Sequence, residues 1–95
     1  MKVRLIPYSM EETVEMMTSS DYKQRFTAEY IQLRIRFNRL LNMIEMWDRG
    51  ELNFTPTCPR STYDLQLRSM SEYLAVLEAR AEMEGIEEVI KLSDR

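Results

Sequence analysis

The sequence predicts an all-α fold: an antiparallel two-helix hairpin with a short N-terminal helix, assembling into a homo-oligomeric helical bundle. Three observations predict it. The 95 residues include only two Gly and three Pro, below the usual rates of about 7% and 5%. Two long segments carry apolar residues at helical spacing, and the interruption at residues 50–59 separates them. At 44%, the hydrophobic residues are more than one hairpin can bury, so the working unit is expected to contain several chains.

The first long helix is predicted to begin near Asp21, where Ser19 or Ser20 can accept a hydrogen bond from a backbone N–H, and to end at Gly50. Its inner face repeats in alternating steps of four and three residues, as in helices that pack as heptads. The residues of this face are Phe26, Tyr30, Leu33, Phe37, Leu40, Ile44 and Trp47.

The second long helix is predicted to begin at Pro59 or shortly after it and to run to Glu84. Cys58, or Ser61 and Thr62, are the candidate N-caps. Its inner face has the same alternation and comprises Tyr63, Leu67, Met70, Leu74, Leu77 and Ala81. Two such faces joined by a loop of about ten residues are typical of an antiparallel helical hairpin.

The two ends of the chain are predicted to be smaller elements. Ser9 and Glu12 have the spacing of a capping box, which predicts a short helix over residues 10–18. Residues 2–5 and 89–92 alternate apolar and polar side chains, as strands do, and could pair with each other. Residues 89–92 fit the continuation of a helix equally well.

These elements divide the chain into three parts. They are an N-terminal segment with a short helix (1–20), a helical hairpin domain with its loop at 50–59 (21–86), and an acidic C-terminal tail (87–95). The net charge of −3, from 13 basic and 16 acidic residues, argues against a general nucleic-acid-binding coat. A cytoplasmic location is expected, because no apolar run approaches the roughly 20 residues of a membrane span and the N-terminus does not resemble a signal peptide.

The sequence contains few residues of the types that catalyse reactions. Histidine is absent and Cys58 is the single cysteine, which excludes a disulfide, a Cys/His zinc site and a histidine-activated nucleophile within one chain. Carboxylate pairs such as Glu11 and Glu15 are better explained as solvated helix surface than as metal ligands. We therefore expect no enzyme activity, no catalytic residue, no cofactor and no metal.

Binding residues are easier to find. Arg25, Gln32, Arg36 and Arg39 lie within about 60° of one another on the first long helix, and guanidinium groups bind phosphate or carboxylate. The alternative is a solvated flank that pairs with Glu29 and with acidic residues of the second long helix. Tyr73 lies off the inner face and could stack on a base. The candidate ligand-binding residues are Arg25, Arg36, Arg39, Arg60, Tyr73 and Arg80.

Each long helix also carries apolar residues roughly opposite its inner face. This second stripe could meet the terminal segments, a second copy of the chain or a different protein, and the second copy is the preferred prediction. The candidate residues of the oligomer interface are Ile31, Ile35, Met46, Leu65, Val76 and Met83.

Three segments resemble small hypothetical proteins of bacteriophages and prophages that are described as related to a crAss-like phage protein. They are DYKQRFTAEYIQLRIRFNRLLNMI, LNFTPTCP and LRSMSEYLAVLEARAEMEGI, within residues 21–86. The hairpin is also similar in shape to phage sponge proteins, which counter CBASS and Thoeris immunity by sequestering cyclic nucleotide signals in a homo-oligomer. The resemblance implies a phage protein in the host cytoplasm. It assigns no ligand-binding residue in this chain, because no set of residues here matches the ligand contacts of the sponge proteins.

The leading functional prediction is a non-catalytic anti-defence protein that sequesters an anionic nucleotide signal of the host, such as a cyclic nucleotide. Arg25, Arg36 and Arg39, with Arg60 or Arg80, would bind phosphates, and a tyrosine would stack on the base. The first alternative is a protein–protein interaction module that inhibits or adapts a host or phage protein, such as a host defence protein, on which its second apolar stripe docks. A nucleic-acid-binding protein is the second alternative, which the acidic total disfavours.

Overall fold

The computed structural model describes residues 1–94, and Arg95, the last residue of the predicted tail, lies outside them. Its helices are α1 (Thr13–Met17), α2 (Tyr22–Asp48), α3 (Arg60–Glu84) and α4 (Glu87–Ser93). Residues 1–94 contain no β-strand. The predicted all-α class is therefore confirmed, whereas assembly of several chains stays a prediction.

α2 begins and ends where its sequence predicts, although a different residue caps it. Asp21 is the N-cap, and its carboxylate accepts from the backbone N–H of Lys23 at 3.0 Å. Ser19 instead accepts from the N–H of Asp21 at 3.0 Å, so the predicted Ser19 or Ser20 cap is corrected to Asp21. Gly50 follows the helix with φ of +71°, a backbone conformation that glycine adopts without steric cost.

α3 begins directly after its N-cap residue Pro59, and no side chain caps this end of the helix. The predicted capping roles of Cys58, Ser61 and Thr62 are wrong: Cys58 is exposed in the loop, and the other two residues already lie in the first helical turn. Proline suits this boundary, because the backbone N–H that it lacks would have no acceptor within the helix. At the other end Gly85 is left-handed, with φ of +69°.

Contacts at both ends show that α2 and α3 are antiparallel. Beside the connecting loop, the rings of Trp47 and Tyr63 pack edge to face with their centroids 6.0 Å apart. At the far end, the Tyr22 hydroxyl donates to the Glu84 carboxylate at 2.7 Å. This arrangement confirms the predicted hairpin.

Both predicted inner faces lie in the hydrophobic core, which the two smaller helices complete. Residues of the predicted faces that are fully buried are Phe26, Tyr30, Phe37, Ile44, Leu67, Leu74, Leu77 and Ala81, and those that are partly buried are Leu33, Leu40, Trp47, Tyr63 and Met70. The heptad alternation therefore identified the packed faces correctly.

The second apolar stripe of α2 is largely covered by the chain itself. Ile31 is fully buried, Ile35 and Met46 are partly buried, and α1 packs along α2 with Thr13 in the contact. Ile31 therefore offers no surface to a second copy, which corrects its place in the predicted interface. The outward face of α3 differs, because Leu65, Val76 and Met83 on it remain exposed within residues 1–94.

Three of the predicted interface residues remain exposed on that outward face. The exposed fractions are 53% for Leu65, 54% for Val76 and 77% for Met83. At about 100° per residue the three lie within about 20° of one another around α3. They form a line about 27 Å long at a rise of 1.5 Å per residue, which we call the α3 outer line.

The chain termini differ from the prediction at both ends. Ser9 and Glu12 exchange the two hydrogen bonds of a capping box, at 3.0 and 3.3 Å, but these bonds enclose a turn, and α1 begins at Thr13 with Glu12 as its N-cap and no side-chain cap. The helix predicted over residues 10–18 is therefore corrected to Thr13–Met17. Residues 89–92 are not a strand but part of α4, where Val89 and Leu92 are fully buried. The predicted acidic tail is thus a core helix, because Gly85 ends α3 and lets the chain fold back.

No helix within residues 1–94 is long and apolar enough to cross a membrane.

Candidate functional site

A groove between α2 and α3 brings together three of the predicted ligand-binding residues. Arg25 and Arg36 lie on its α2 side and Tyr73 on its α3 side, and the groove encloses about 360 Å³. Its other lining residues are Met17, Glu29, Gln32 and Leu33. The spacing of Arg25, Gln32 and Arg36 produces this arrangement, since residues at these intervals share one flank of a helix.

Intrachain hydrogen bonds hold two of these side chains in place. The Arg25 guanidinium donates to the carbonyl oxygen of Ser19 at 2.7 Å and lies 6.0 Å from the centroid of the Tyr22 ring. The Tyr73 hydroxyl donates to the carboxylate of Glu29. The groove therefore contains two cations, one carboxylate and an aromatic ring, which is a polar site open to water.

Arg39 lies on the same flank of α2 but is not among the residues that line the groove. It follows Arg36 by three residues and is exposed. The predicted basic flank is therefore continuous along α2, but only Arg25 and Arg36 of its three arginines line the groove.

Arg60 closes the loop end of the hairpin. It donates to both carboxylate oxygens of Asp48, at 2.6 and 3.3 Å, and to Asp64 at 2.9 Å. Its guanidinium also lies 5.4 Å from the Trp47 ring centroid. The hydrogen bond from Arg60 lowers the pKa of Asp48 below its usual value. These contacts engage Arg60 in joining the two helices, far from the groove.

Arg80 has a comparable place toward the open end of the hairpin. It donates to Glu84 at 2.9 Å and to the Tyr22 hydroxyl at 2.7 Å, and it lies 4.9 Å from the Phe26 ring centroid. Hydrogen bonds from Tyr22 and then Arg80 lower the pKa of Glu84, and the bond to Glu84 raises that of Tyr22. The structure does not bring Arg80 to the groove.

Arg34 is a buried cation that is not among the predicted binding residues. Its guanidinium lies 5.9 Å from the ring centroid of Tyr30 and 5.6 Å from that of Phe37. Its Nη2 donates to Glu78 at 3.2 Å, and the Tyr30 hydroxyl donates to the same carboxylate at 2.6 Å. Burial, and then the hydrogen bond to Glu78, raise the pKa of Tyr30. The sequence does contain a signal for its burial, because Arg34 lies four residues after Tyr30 and three before Phe37, on the inner side of α2.

A second concavity lies where the N-terminal residues cross α2 and α3, next to Arg34. It encloses about 540 Å³, and its lining residues are Met1, Lys2, Val3, Arg4, Arg34, Phe37, Ser71, Leu74, Ala75 and Glu78. We call it the Arg34 cavity. It shares no residue with the groove.

Arg4 holds the N-terminal wall of the Arg34 cavity in place. Its backbone N–H donates to Asn38 at 3.2 Å, and its carbonyl oxygen accepts from the same amide at 2.9 Å. The guanidinium donates to the carbonyl oxygen of Ser93 at 2.6 Å and lies 3.9 Å from Glu78. Residue 4 is thereby tied to α2, α3 and α4.

Metal-ligating side chains do not cluster in the described part of the chain, where no group of three or more His, Cys, Asp or Glu could hold an ion. The groove and the Arg34 cavity present guanidinium groups instead, which bind anions.

The family comparison covers the hairpin and most of the groove. The Sequestin family model matches residues 20–83, a range that contains α2, nearly all of α3 and the groove residues Arg25, Arg36 and Tyr73. The chain belongs to the Sequestin family. No curated protein and no solved structure matches it. The family name indicates that a Sequestin protein sequesters a signal molecule, which is a binding role rather than a catalytic one.

Proposed function

We propose that this Sequestin protein is a non-catalytic phage protein that sequesters an anionic nucleotide signal of host immunity in a homo-oligomer. One observation carries the proposal: the family match spans the groove in which Arg25, Arg36 and Tyr73 meet. The volume of about 360 Å³ lies within the range of about 300–1,000 Å³ typical of small-molecule sites.

The side chains of the groove suit a nucleotide better than a bare inorganic anion. Arg25 and Arg36 offer planar guanidinium groups that bind phosphate oxygens with charge-assisted hydrogen bonds. The ring of Tyr73 offers a surface on which a base can stack. Glu29 repels a bare anion but accepts hydrogen bonds, so it favours a ligand whose base or ribose supplies donors. Sequestration requires no bond to break, and the affinity comes from these contacts alone.

The α3 outer line supports the homo-oligomer. Exposed apolar side chains aligned along one helix are typical of a surface that packs against another chain. We propose that a second copy covers Leu65, Val76 and Met83 with the same residues of its own α3, as two-fold interfaces do. Tyr73 precedes Val76 by three residues, so the second copy would lie beside the groove and narrow its opening.

Calorimetric titration with a panel of cyclic di- and trinucleotides tests the proposed ligand. The wild type is expected to bind at least one of them, and Arg25→Ala/Arg36→Ala is expected to bind it at least about 100-fold more weakly, since each hydrogen bond to a charged group contributes roughly 1.5–3 kcal/mol. Arg39→Ala is the matched control, because this arginine shares the flank but does not line the groove. Absence of heat for the whole panel, or equal affinities in the double variant and the wild type, would refute the proposal.

Native mass spectrometry of protein purified from cells tests the assembly, because it reports the number of chains and any small molecule retained. A ligand-free monomer at micromolar concentration would contradict the homo-oligomer. It would favour the second candidate function, a protein–protein interaction module in which the α3 outer line docks on a host protein. The exposure of Leu65, Val76 and Met83 is the observation that favours this alternative.

A further inference from the structure

We propose that the Arg34 cavity is a second binding site, which takes a small organic phosphate and acts separately from the groove. The inference does not depend on the proposed function, since the cavity lies on other residues. It rests on a buried cation with an unmade hydrogen bond, on the charge of the cavity and on its size.

The hydrogen bonds of Arg34 leave a buried donor, its Nε–H, without an acceptor in the described part of the chain. The side chain is only 8% exposed, and its Nη2 donates to Glu78 and, at 3.4 Å, to Tyr30. Its buried Nε has no hydrogen-bond partner within residues 1–94. A buried donor without an acceptor is costly, and such groups are rare in folded proteins. The same side chain lines the cavity, so an anion bound there would compensate a buried cation whose hydrogen bonding is incomplete.

The charge of the cavity favours an anion. Lys2, Arg4 and Arg34 line it together with a single carboxylate, that of Glu78. Glu78 already accepts from Arg34 and Tyr30, which leaves an excess of positive charge. Phosphate suits such a set of donors, because a single group presents several oxygens to a guanidinium fork and to a lysine.

The size and the apolar walls of the cavity indicate that the phosphate carries an organic group. A volume of about 540 Å³ is more than a phosphate ion fills. Val3, Phe37, Leu74 and Ala75 also line the cavity, and these side chains would contact an apolar or aromatic part of the ligand. The compound class is therefore an organic phosphate, for which ADP and inorganic pyrophosphate are a suitable pair of probes.

The helical geometry separates this site from the groove. At about 100° per residue, Arg34 and Phe37 lie about 100–180° around α2 from Arg25 and Arg36. On α3, Ser71 lies about 160° from Tyr73. The two sites therefore lie on different sides of the hairpin, and each can be altered without touching the other.

The experiment uses the full chain with the groove substitutions Arg25→Ala/Arg36→Ala, so that only the Arg34 cavity is left to bind. The nitrogen-15-labelled protein is titrated with ADP and then with pyrophosphate, and the Nε–Hε resonance of Arg34 is followed by NMR. We expect this resonance to move in a saturable way, because a phosphate bound beside the guanidinium changes the electrostatic environment of its Nε–H. We also expect ADP to bind about tenfold more tightly than pyrophosphate, because it alone contacts the apolar wall.

Lys2→Glu and Arg39→Glu, made in the same background, form a matched pair. Both residues are exposed and both substitutions change the net charge by −2, but only Lys2 lines the cavity. Lys2→Glu is expected to weaken ADP binding at least about tenfold, the effect of losing one charge-assisted contact. Arg39→Glu is expected to change the affinity by less than about twofold.

Three results would overturn the inference. The first is an Arg34 resonance that does not move at millimolar ADP. The second is equal weakening of ADP binding by Lys2→Glu and Arg39→Glu. The third is ADP binding to the wild type but not to the Arg25→Ala/Arg36→Ala chain. The last result would leave the groove as the binding site and the proposed function intact. If the double variant instead retains full affinity for a cyclic nucleotide, the groove assignment fails and the Arg34 cavity can still stand.

Discussion

Substituting Glu78 by Gln should destabilise the protein more than removing Arg34, its buried partner. The Glu78 carboxylate accepts from Arg34 at 3.2 Å and from the Tyr30 hydroxyl at 2.6 Å. Glu78→Gln keeps the shape of the side chain but leaves the Arg34 cation buried without a carboxylate. Arg34→Met removes the cation, and the methionine can fill the space beside Tyr30 and Phe37.

The exposures of the two side chains set the size of this difference. Removing one partner of a fully buried ion pair costs about 3–5 kcal/mol. Arg34 is 8% exposed but Glu78 is 28% exposed, so water reaches the carboxylate and we expect about 2–3 kcal/mol for Glu78→Gln. For Arg34→Met we expect about 1 kcal/mol or less, because Glu78 keeps its bond from Tyr30 and its partial hydration. In a domain of this size, 2–3 kcal/mol lowers Tm by about 10–20 °C.

Urea denaturation followed by far-UV circular dichroism measures both changes. All variants are compared at one protein concentration, because an oligomer becomes more stable as its concentration rises. Arg39→Met is the control for the loss of an arginine that lies exposed on α2. The reasoning is refuted if Arg34→Met costs more than Glu78→Gln, or if Glu78→Gln changes the free energy of unfolding by less than about 1 kcal/mol.

Three further predictions concern the helix ends and the α3 outer line. Hydrogen bonds lower the pKa values of Asp48 and Glu84, so these carboxylates stabilise the fold fully above the ordinary carboxylate range of about pH 4 and lose this effect as pH falls through the lowered pKa values. Between about pH 5 and 2, the Tm of Asp48→Asn/Glu84→Gln should therefore fall less than that of the wild type, and equal falls would contradict this. Gly85→Ala should lower the free energy of unfolding, measured by urea denaturation, by about 1 kcal/mol. The cause is the φ of +69°, since no atom lies within 4 Å of the added Cβ, and an unchanged free energy of unfolding would disprove it. Val76→Glu should dissociate the proposed assembly, which light scattering would detect as a lower mass, whereas Gln66→Glu, on another face of α3, should leave the mass unchanged. Equal masses for the two variants would exclude this interface.

Local features of the sequence were sufficient to predict the two long helices. Their apolar faces repeat within the helices, Gly50 and Gly85 end them with left-handed residues, and Ser9 and Glu12 cap the N-terminal turn through neighbouring residues. Helical periodicity also placed Arg25 and Arg36 on one flank, and both line the groove. Each of these features depends on residues close in the chain, whose geometry the helix itself determines.

Features that depend on which segment covers which face could not be predicted in this way. Residues 89–92 fit a strand and a helix equally well, and the choice follows from burial of Val89 and Leu92 in the core beside α2 and α3. Arg60 and Arg80 were candidate ligand residues, but in the folded chain each binds a carboxylate and lies over an aromatic ring at one end of the hairpin.

The order of residues is enough to predict an all-α hairpin, the ends of its helices and a flank with two arginines that suit an anion. The folded chain adds that Ile31 and α4 complete the core, that the α3 outer line remains exposed, and that Arg34 is buried beside Glu78 with an unused Nε donor. These features depend on burial and pairing, which join residues far apart in the chain. Glu78 lies 44 positions from Arg34, and no helical repeat within one segment carries that information.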